Sequence, residues 1–225
     1  MAENLELYAD LISEPCRSVV IYCKLSGIAY NFHSIDLIKG EFLSPEFTEI
    51  NPFQEVPAIV HGDFKLNQSP AIVKYLADAY NIDNPWYPKD IKVRARIDAF
   101  LHWHHQNIRE KKDEYLLPMI VLPMISDAKA PEGEVEAKLR EKAMEAVKNF
   151  DWILEATGYA ARTERATIAD VFAFSELEML KLVGIDANEF PRIKKWRDEI
   201  GAIQEVQEAH EILYAMIANP PQKNN

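Results

Sequence analysis

EVPAIVHGDFKLNQSPAIVKYLADAY, residues 55–80, carries the pattern that decides the fold. Two short apolar runs, at 56–60 and 64–66, flank a His-Gly-Asp turn, and this arrangement predicts a β-hairpin. After the hairpin, Ser69 stands where a residue caps a helix and Pro70 where a proline opens one, and apolar residues follow at helical spacing. The stretch therefore predicts the order strand, strand, helix.

Upstream of the hairpin, the chain alternates short strands and helices. LELYADL (5–11) alternates apolar and polar residues as a half-buried strand does, and AYNFHSI (29–35) predicts a second strand. Between them, Pro15 suits the first turn of a helix that ends near Gly27, and SPEF (44–47) opens another short helix. A strand–helix–strand unit implies a parallel pair with a right-handed crossover. The predicted order is βαβ, helix, ββα, an α/β domain.

The second half of the sequence shows helical patterns in place of the alternating strands and helices of the first. Beyond residue 90 we find no convincing strand. Helical patterns are predicted near 91–117, 132–156, 167–183, 191–199 and 203–217. We therefore predict an α/β domain over 1–82, a linker over 83–90 and an all-helical domain over 91–225.

Composition narrows the classes of partner. The formal net charge is -11, which argues against nucleic acid or an anionic membrane surface as a partner. No signal peptide and no apolar run long enough to span a bilayer is seen. Cys16 and Cys23 are the only cysteines, and on one helix they would lie about 10.5 Å apart along the axis, too far for a disulfide. These features predict a reduced, cytoplasmic protein.

The sequence SEPC (13–16) is the first candidate for chemistry. Ser13 fits a helix cap, but its hydroxyl could also donate a hydrogen bond to a thiolate, which lowers the pKa of that thiol. A nucleophilic role would need a nearby base, and no histidine is paired with Ser13 by the sequence. Cys16 lies on the first turn, where the helix dipole acidifies a thiol, although a lone cysteine in an apolar helix is more often a core residue. We favour the core interpretation.

Three other motifs are ambiguous when taken alone. The Val56-Pro57 bond could be cis and turn the backbone of Val56 outward, but an ordinary trans proline opening a strand is favoured from these residues alone. Gln68-Ser69 at a helix start could hold a carboxylate, or Ser69 could simply cap the helix. HWHH (102–105) lacks the ligand spacing of a metal site, so no metal is predicted.

Taken together and in order, these stretches resemble glutathione S-transferases, and the theta class most closely. The resemblance covers nearly the whole chain. It is carried by LELYADLISEPCRSV, DLIKGEFLSPEF, INPFQEVPAIVHGDFKLNQSPAIVKYL, WYPKDIKVRARIDAFLHWHH and VQEAHEIL. It implies the glutathione S-transferase fold, with a thioredoxin-like N-terminal domain and an all-helical C-terminal domain, and it implies a homodimer.

The resemblance also implies roles for individual residues. Ser13 would donate a hydrogen bond to the glutathione sulfur and hold it as a thiolate, and Val56, before a cis Pro57, would pair with the cysteinyl part. The other implied site residues are Phe42 and Glu55 at the glycine end of glutathione, Gln68 and Ser69 at its γ-glutamyl end, and Arg109 at the electrophile site. The implied function is conjugation of glutathione, as co-substrate and without a metal, to small electrophiles in detoxification.

Several residues depart from the theta pattern. Phe42 stands where theta enzymes commonly carry histidine and Glu55 where they commonly carry lysine, which removes polar or cationic contacts to the glycine carboxylate. Lys39, in the same loop as Phe42, is a candidate to compensate, and Glu14 stands where a theta glutamine follows the serine. These changes predict weakened glutathione affinity.

Two other functions stay open on the sequence alone. One is a non-catalytic binding protein on the same scaffold, a ligandin or a partner-binding module, which lost contacts at the glycine end would favour. The other is a thiol-dependent reductase in which Cys16 does the covalent chemistry. The retained Ser13 and the Val56-Pro57 and Gln68-Ser69 pairs favour the transferase, and the identity of the electrophile is not indicated.

Overall fold

The computed structural model describes residues 4–219 and contains one mixed four-stranded sheet. Its strands are β1 (Leu5–Ala9), β2 (Asn31–Ser34), β3 (Ala58–His61) and β4 (Phe64–Asn67). The strand order is β2-β1-β3-β4, with β1 parallel to β2 and antiparallel to β3, and β3 antiparallel to β4. This topology confirms the predicted βαβ unit followed by a hairpin.

Three helices accompany the sheet: α1 (Glu14–Leu25), α2 (Pro45–Ile50) and α3 (Ser69–Ala79). The start of α2 follows the sequence prediction, because the Ser44 hydroxyl accepts a hydrogen bond from the Phe47 N–H at 3.1 Å. The start of α3 does not. Ser69 is the first residue of α3 rather than its cap, and the N-cap position belongs to Gln68, whose side chain makes no capping bond. The prediction that Ser69 caps this helix is wrong.

The rest of the described chain is helical. Its helices are α4 (Ile91–His104), α5 (Glu110–Leu116), α6 (Leu122–Ile125), α7 (Gly133–Leu154), α8 (Ile168–Met179), α9 (Pro191–Gly201) and α10 (Gln204–Ala218). Two π-helical turns, 105–109 and 117–121, join α4, α5 and α6 into one long helix. Such turns carry an extra residue and are frequent at functional sites. Among residues 4–219 every strand lies before residue 68, so the predicted combination of an α/β half and an all-α half is confirmed.

Helix α8 is the centre of the helical half, and every one of its residues is buried. Its first turn is fixed by a capping box in which the Asp170 carboxylate accepts from the Thr167 N–H at 2.8 Å. The same carboxylate accepts from the Ala160 N–H and from the Trp196 indole. Helix α8 also packs against α1, so the turn that begins α1 rests on the middle of the helical half.

Both cysteines are free and buried in α1, which confirms the core interpretation of Cys16. Burial raises the pKa of the Cys16 thiol to about 12, against the opposing effect of hydrogen bonds to the Asp10 backbone and the Ser13 side chain. A thiol with that pKa is protonated at neutral pH and is a poor nucleophile. Within the described part of the chain, none of the helices has the length and apolarity needed to cross a membrane.

Candidate functional site

The residues predicted for ligand binding converge on a cavity of about 320 Å³ between the two halves of the chain. It is lined by Pro15, Glu55, Val56, Pro57, Gln68, Ser69, His105 and Arg109. Five of the seven predicted site residues are therefore brought together here. Ser13 and Phe42 do not line this cavity, although Pro15, on the same turn as Ser13, does.

One wall of the cavity is the entry to β3. The Val56-Pro57 peptide bond is cis, so the interpretation favoured from these two residues alone, a trans bond, is wrong, and the bond implied by the family resemblance is the one found. Pro57 is buried and Val56 is half-buried. The backbone of Val56 therefore lies at the cavity just before the strand begins.

A second wall is the N-terminus of α3. Gln68 has φ 69°, a left-handed conformation that a residue with a side chain rarely adopts and that clusters at functional sites. Its amide donates to Glu55 Oε2 at 3.0 Å, which joins this wall to the previous one. Since α3 begins at the cavity, its first N–H groups and the positive end of its dipole favour a carboxylate there.

The turn that carries Ser13 is half-buried beside the cavity. Ser13 holds the N-cap position of α1, but its side chain makes no capping hydrogen bond. Its backbone N–H donates to the Asp10 carbonyl at 3.0 Å, and its carbonyl accepts from the Arg17 N–H at 3.1 Å. The backbone of the turn is thus fixed while the hydroxyl is not used to cap the helix.

The loop predicted to meet the glycine end offers little positive charge to the cavity. Phe42 lies in a single 3₁₀ turn (Glu41–Leu43), half-buried, and does not line the cavity. Lys39 pairs with Asp36 at 2.7 Å, and the side chain of Lys39 is 73% exposed. That pairing raises the pKa of Lys39 and lowers the pKa of Asp36. Lys39 is therefore engaged outside the cavity.

A second cavity, of about 520 Å³, adjoins the first. It is lined by His105, Arg109, Glu110, Asp113, Glu114, Leu117 and Pro118. His105 and Arg109 line both cavities, so a ligand in one lies next to a ligand in the other. Arg109 donates through Nε to Glu176 Oε1 at 2.6 Å, and although burial opposes the charge, Glu176 raises the pKa of Arg109.

Sequence reasoning missed His105. It belongs to the first π turn, and burial, followed by the nearby Arg109, lowers its pKa, so the imidazole is neutral at neutral pH. Its spacing of four residues from Arg109 places both on one helical face and could have indicated it. Within residues 4–219 we find no group of three or more histidine, cysteine, aspartate or glutamate side chains that could hold a metal ion.

Comparison with known proteins agrees with this geometry. Residues 7–86 match the model for the N-terminal domain of glutathione S-transferases, and residues 114–203 match the model for the C-terminal domain. Human glutathione S-transferase theta-1 is 34% identical over 224 residues, which cover 97% of this chain and 92% of that protein.

Solved structures give the same result. The apo form of human glutathione S-transferase T1-1 matches with a TM-score of 0.87 and 32% identity, covering 97% of this chain and 92% of that one. A human theta-class transferase in complex with the glutathione conjugate of 1-menaphthyl sulfate matches with a TM-score of 0.85 and 33% identity, covering 96% and 89%. The chain belongs to the glutathione S-transferase family, and the relatives named above are theta-class members.

Proposed function

We propose that this protein conjugates glutathione to small electrophiles, with the Ser13 hydroxyl stabilising the glutathione thiolate. The observation that carries the proposal is the convergence of the cis Val56-Pro57 bond, the start of α3 and Arg109 on one cavity beside the Ser13 turn. A theta-class relative bound to a glutathione conjugate supports it. The division into 1–82, 83–90 and 91–225 is part of the same proposal.

In this proposal, glutathione lies along the walls of the first cavity in one direction. Its γ-glutamyl carboxylate would meet the first N–H groups of α3 at Gln68 and Ser69, where the dipole favours an anion. Its cysteinyl backbone would pair with Val56, in the manner of an added strand. Its glycine end would then pass Glu55, whose carboxylate accepts from the Gln68 amide, and leave this cavity toward the 41–43 turn that carries Phe42. The thiol is left near the Ser13 turn, facing the second cavity, where the electrophile would bind against Arg109.

The reaction would be a displacement or addition at carbon. The Ser13 O–H donates a hydrogen bond to the sulfur, which stabilises the thiolate relative to the thiol, and the thiol proton is released to solvent. In a displacement, the thiolate electron pair forms the C–S bond while the leaving group departs with the pair of its own bond. In an addition, the same C–S bond forms while the pair of the attacked π bond moves to the neighbouring atom, which takes a proton from solvent. Holding both reactants in adjacent cavities supplies the proximity.

Substitution of Ser13 by alanine tests this assignment. The thiolate absorbance of bound glutathione would be titrated against pH in the wild type and in Ser13→Ala. We expect the variant to raise the thiol pKa toward the value of a free thiol, about 8.5, and to lower kcat/KM at neutral pH. Ser26→Ala, at the other end of the same helix, is the matched control. An unchanged titration in Ser13→Ala would refute the role of Ser13.

The non-catalytic alternative is favoured by one observation. Arg109 is the cation that lines the first cavity, and it is already paired with Glu176, while Glu55 adds an acidic group toward the glycine end. A binding protein would retain ligand without turnover. Conjugation assays with a panel of alkyl and aralkyl halides at saturating glutathione separate the two functions. Loss of activity on Cys16→Ser, with Ser13→Ala unaffected, would instead favour a thiol-dependent reductase.

The homodimer, the cytoplasmic location and the role in detoxification belong to the proposal as well. Large apolar side chains outside the two cavities, among them Phe53 and Ile91, are 70% and 79% exposed, and a partner subunit would cover such groups. Light scattering coupled to size exclusion tests the dimer. A monomeric mass at micromolar concentration would contradict it.

A further inference from the structure

A buried lysine lies beneath the Ser13 turn. Lys112, on α5, has no exposed surface, and its ammonium group contacts three carboxylates. It donates hydrogen bonds to Glu14 Oε1 and, at 2.7 Å, to Glu176 Oε2. It also forms an ion pair with Asp113 Oδ1 at 3.0 Å. Burial opposes the charge, yet these carboxylates raise the pKa of Lys112 above its usual range. The ammonium group is therefore a fixed positive charge in the interior.

The position of Glu14 gives this contact its significance. Glu14 follows Ser13 directly and begins α1, so its carboxylate lies on the same turn as the serine hydroxyl. Its side chain is only 13% exposed, and water therefore screens its charge poorly. An unpaired carboxylate at this place would disfavour a thiolate next to Ser13, because like charges raise the pKa of an acid. Lys112 supplies the compensating charge.

Lys112 also links the Ser13 turn to the second cavity, where the electrophile would bind. Glu176 on α8 accepts from Lys112 through one oxygen and from Arg109 through the other. The pKa of Glu176 is held low by both cations although burial opposes this. The order Glu14, Lys112, Glu176, Arg109 is thus a continuous chain of ion pairs from the Ser13 turn to the wall shared by the two cavities.

The other side of the turn is held independently. Arg17 is buried and donates to the carbonyls of Leu11 and Ile12 at 2.8 and 2.9 Å and to the Ser175 carbonyl at 3.1 Å. The backbone geometry of the turn therefore does not depend on Lys112 alone. The charged or titratable groups that surround the turn are Asp10, Glu14, Cys16, Arg17, Arg109, Lys112, Asp113 and Glu176.

We propose that Lys112 is a positioning residue for the thiolate: it neutralises Glu14 next to Ser13 and ties that turn to Glu176 and Arg109. This inference rests on the proposed function, because it assigns Lys112 a role in the thiolate chemistry of Ser13. Lys112 touches neither substrate. It acts through Glu14 on the charge near the sulfur.

A cycle of charge-removing variants tests the inference through the thiol pKa of bound glutathione, measured by thiolate absorbance against pH. Lys112→Met exposes the sulfur to the unpaired Glu14 carboxylate, and we expect the thiol pKa to rise by about one unit. Glu14→Gln alone removes the acidic charge and leaves the lysine, so the pKa should fall. The double variant, Glu14→Gln with Lys112→Met, removes both charges and should bring the pKa back close to that of the wild type.

Lys111→Met is the matched control, because Lys111 is the adjacent lysine and pairs with Glu145 on α7 instead. Its thiol pKa should equal the wild-type value. If Lys112→Met does not fold, Glu14→Gln and the double variant still test the inference. It predicts a lower thiol pKa for bound glutathione in Glu14→Gln than in the double variant.

The outcomes separate the proposed function from the role of Lys112. A wild type in which bound glutathione ionises like free glutathione overturns the proposed function and this inference with it. A wild type with a lowered thiol pKa, but equal values in Glu14→Gln and the double variant, overturns the role of Lys112 alone. If Lys112 had a purely structural role, its substitution would change the free energy of unfolding but would not produce this order of thiol pKa values.

Discussion

His210, on α10, is buried as a neutral imidazole, and this predicts a fold that weakens in mild acid. Its Nδ1 lies 2.7 Å from the Val206 carbonyl, which fixes that nitrogen as the donor, and its Nε2 has no hydrogen-bond partner. The ring meets Phe174 edge to face, with ring centroids 5.1 Å apart. Burial first, and then the charge of Arg17, lowers the pKa of His210 to about 3. A proton added to Nε2 would therefore have no hydrogen-bond acceptor.

The magnitude follows from linkage. An unfolded histidine has a pKa of about 6.5, so between pH 6.5 and 3 the unfolded chain binds a proton that the folded chain does not. The contribution of His210 to stability is therefore complete above pH 6.5 and is lost as the pH falls below it. At about 1.4 kcal/mol per pKa unit, lowering the pH from 7.5 to 5 costs about 2 kcal/mol through this residue.

The assay is urea unfolding of the wild type and of His210→Asn at pH 7.5 and pH 5, at one fixed protein concentration. Asparagine keeps a donor near the position of Nδ1 but does not titrate. The variant is less stable at both pH values because it leaves space in the core, but the difference from the wild type should shrink by about 2 kcal/mol at pH 5.

His102→Asn is the matched control, because it makes the same chemical change at an exposed position on α4, outside the core. Equal losses of the free energy of unfolding in His210→Asn and in the wild type between the two pH values would refute this prediction. Such a result would mean that the folded protein accommodates the imidazolium.

Three further predictions follow from the site and the core. Glu55→Lys should lower the Kd for glutathione about tenfold, as measured by calorimetry, because it replaces an acidic group near the glycine carboxylate by a cation; an unchanged Kd would place the glycine elsewhere. Cys16 should resist iodoacetamide at pH 8 in the folded protein and react after unfolding, as followed by mass spectrometry; native labelling at the rate of a free thiol would contradict its burial. Asp170→Ala should cost about 3 kcal/mol or more in urea unfolding, since it leaves the Ala160 N–H and the Trp196 indole without their acceptor; a loss below about 1 kcal/mol would mean that other groups replace it.

Much of the fold was accessible from the sequence because it rests on local patterns. The hairpin at β3 and β4 follows from two apolar runs around a turn, and the helical half follows from the spacing of apolar residues. The start of α3 was misassigned by one position. Ser-Pro usually marks a cap, but Gln68 takes the cap position here with φ 69°, and no propensity favours that conformation for glutamine.

The candidate site was accessible only in part. The order of motifs indicated Val56, Gln68 and Ser69, which are close in sequence and meet in one cavity. The lysine beneath Ser13 was not indicated, because its partners lie 98 and 64 residues away and only the packing of α1, α5 and α8 brings them together. The cis bond at Pro57 likewise followed from the family resemblance and not from its two residues.

The first π turn, 105–109, sets the rotation about the helix axis of the residues that follow it on the long helix. A π turn holds one residue more than an α turn, and one residue is about 100° of rotation. Removing a residue from this turn would restore a regular helix and swing α5 by that angle. Lys112 would then leave the interior and lose its contacts with the carboxylates of Glu14 and Glu176. The insertion of one residue, rather than any side chain, thus decides which face of α5 is turned toward the serine.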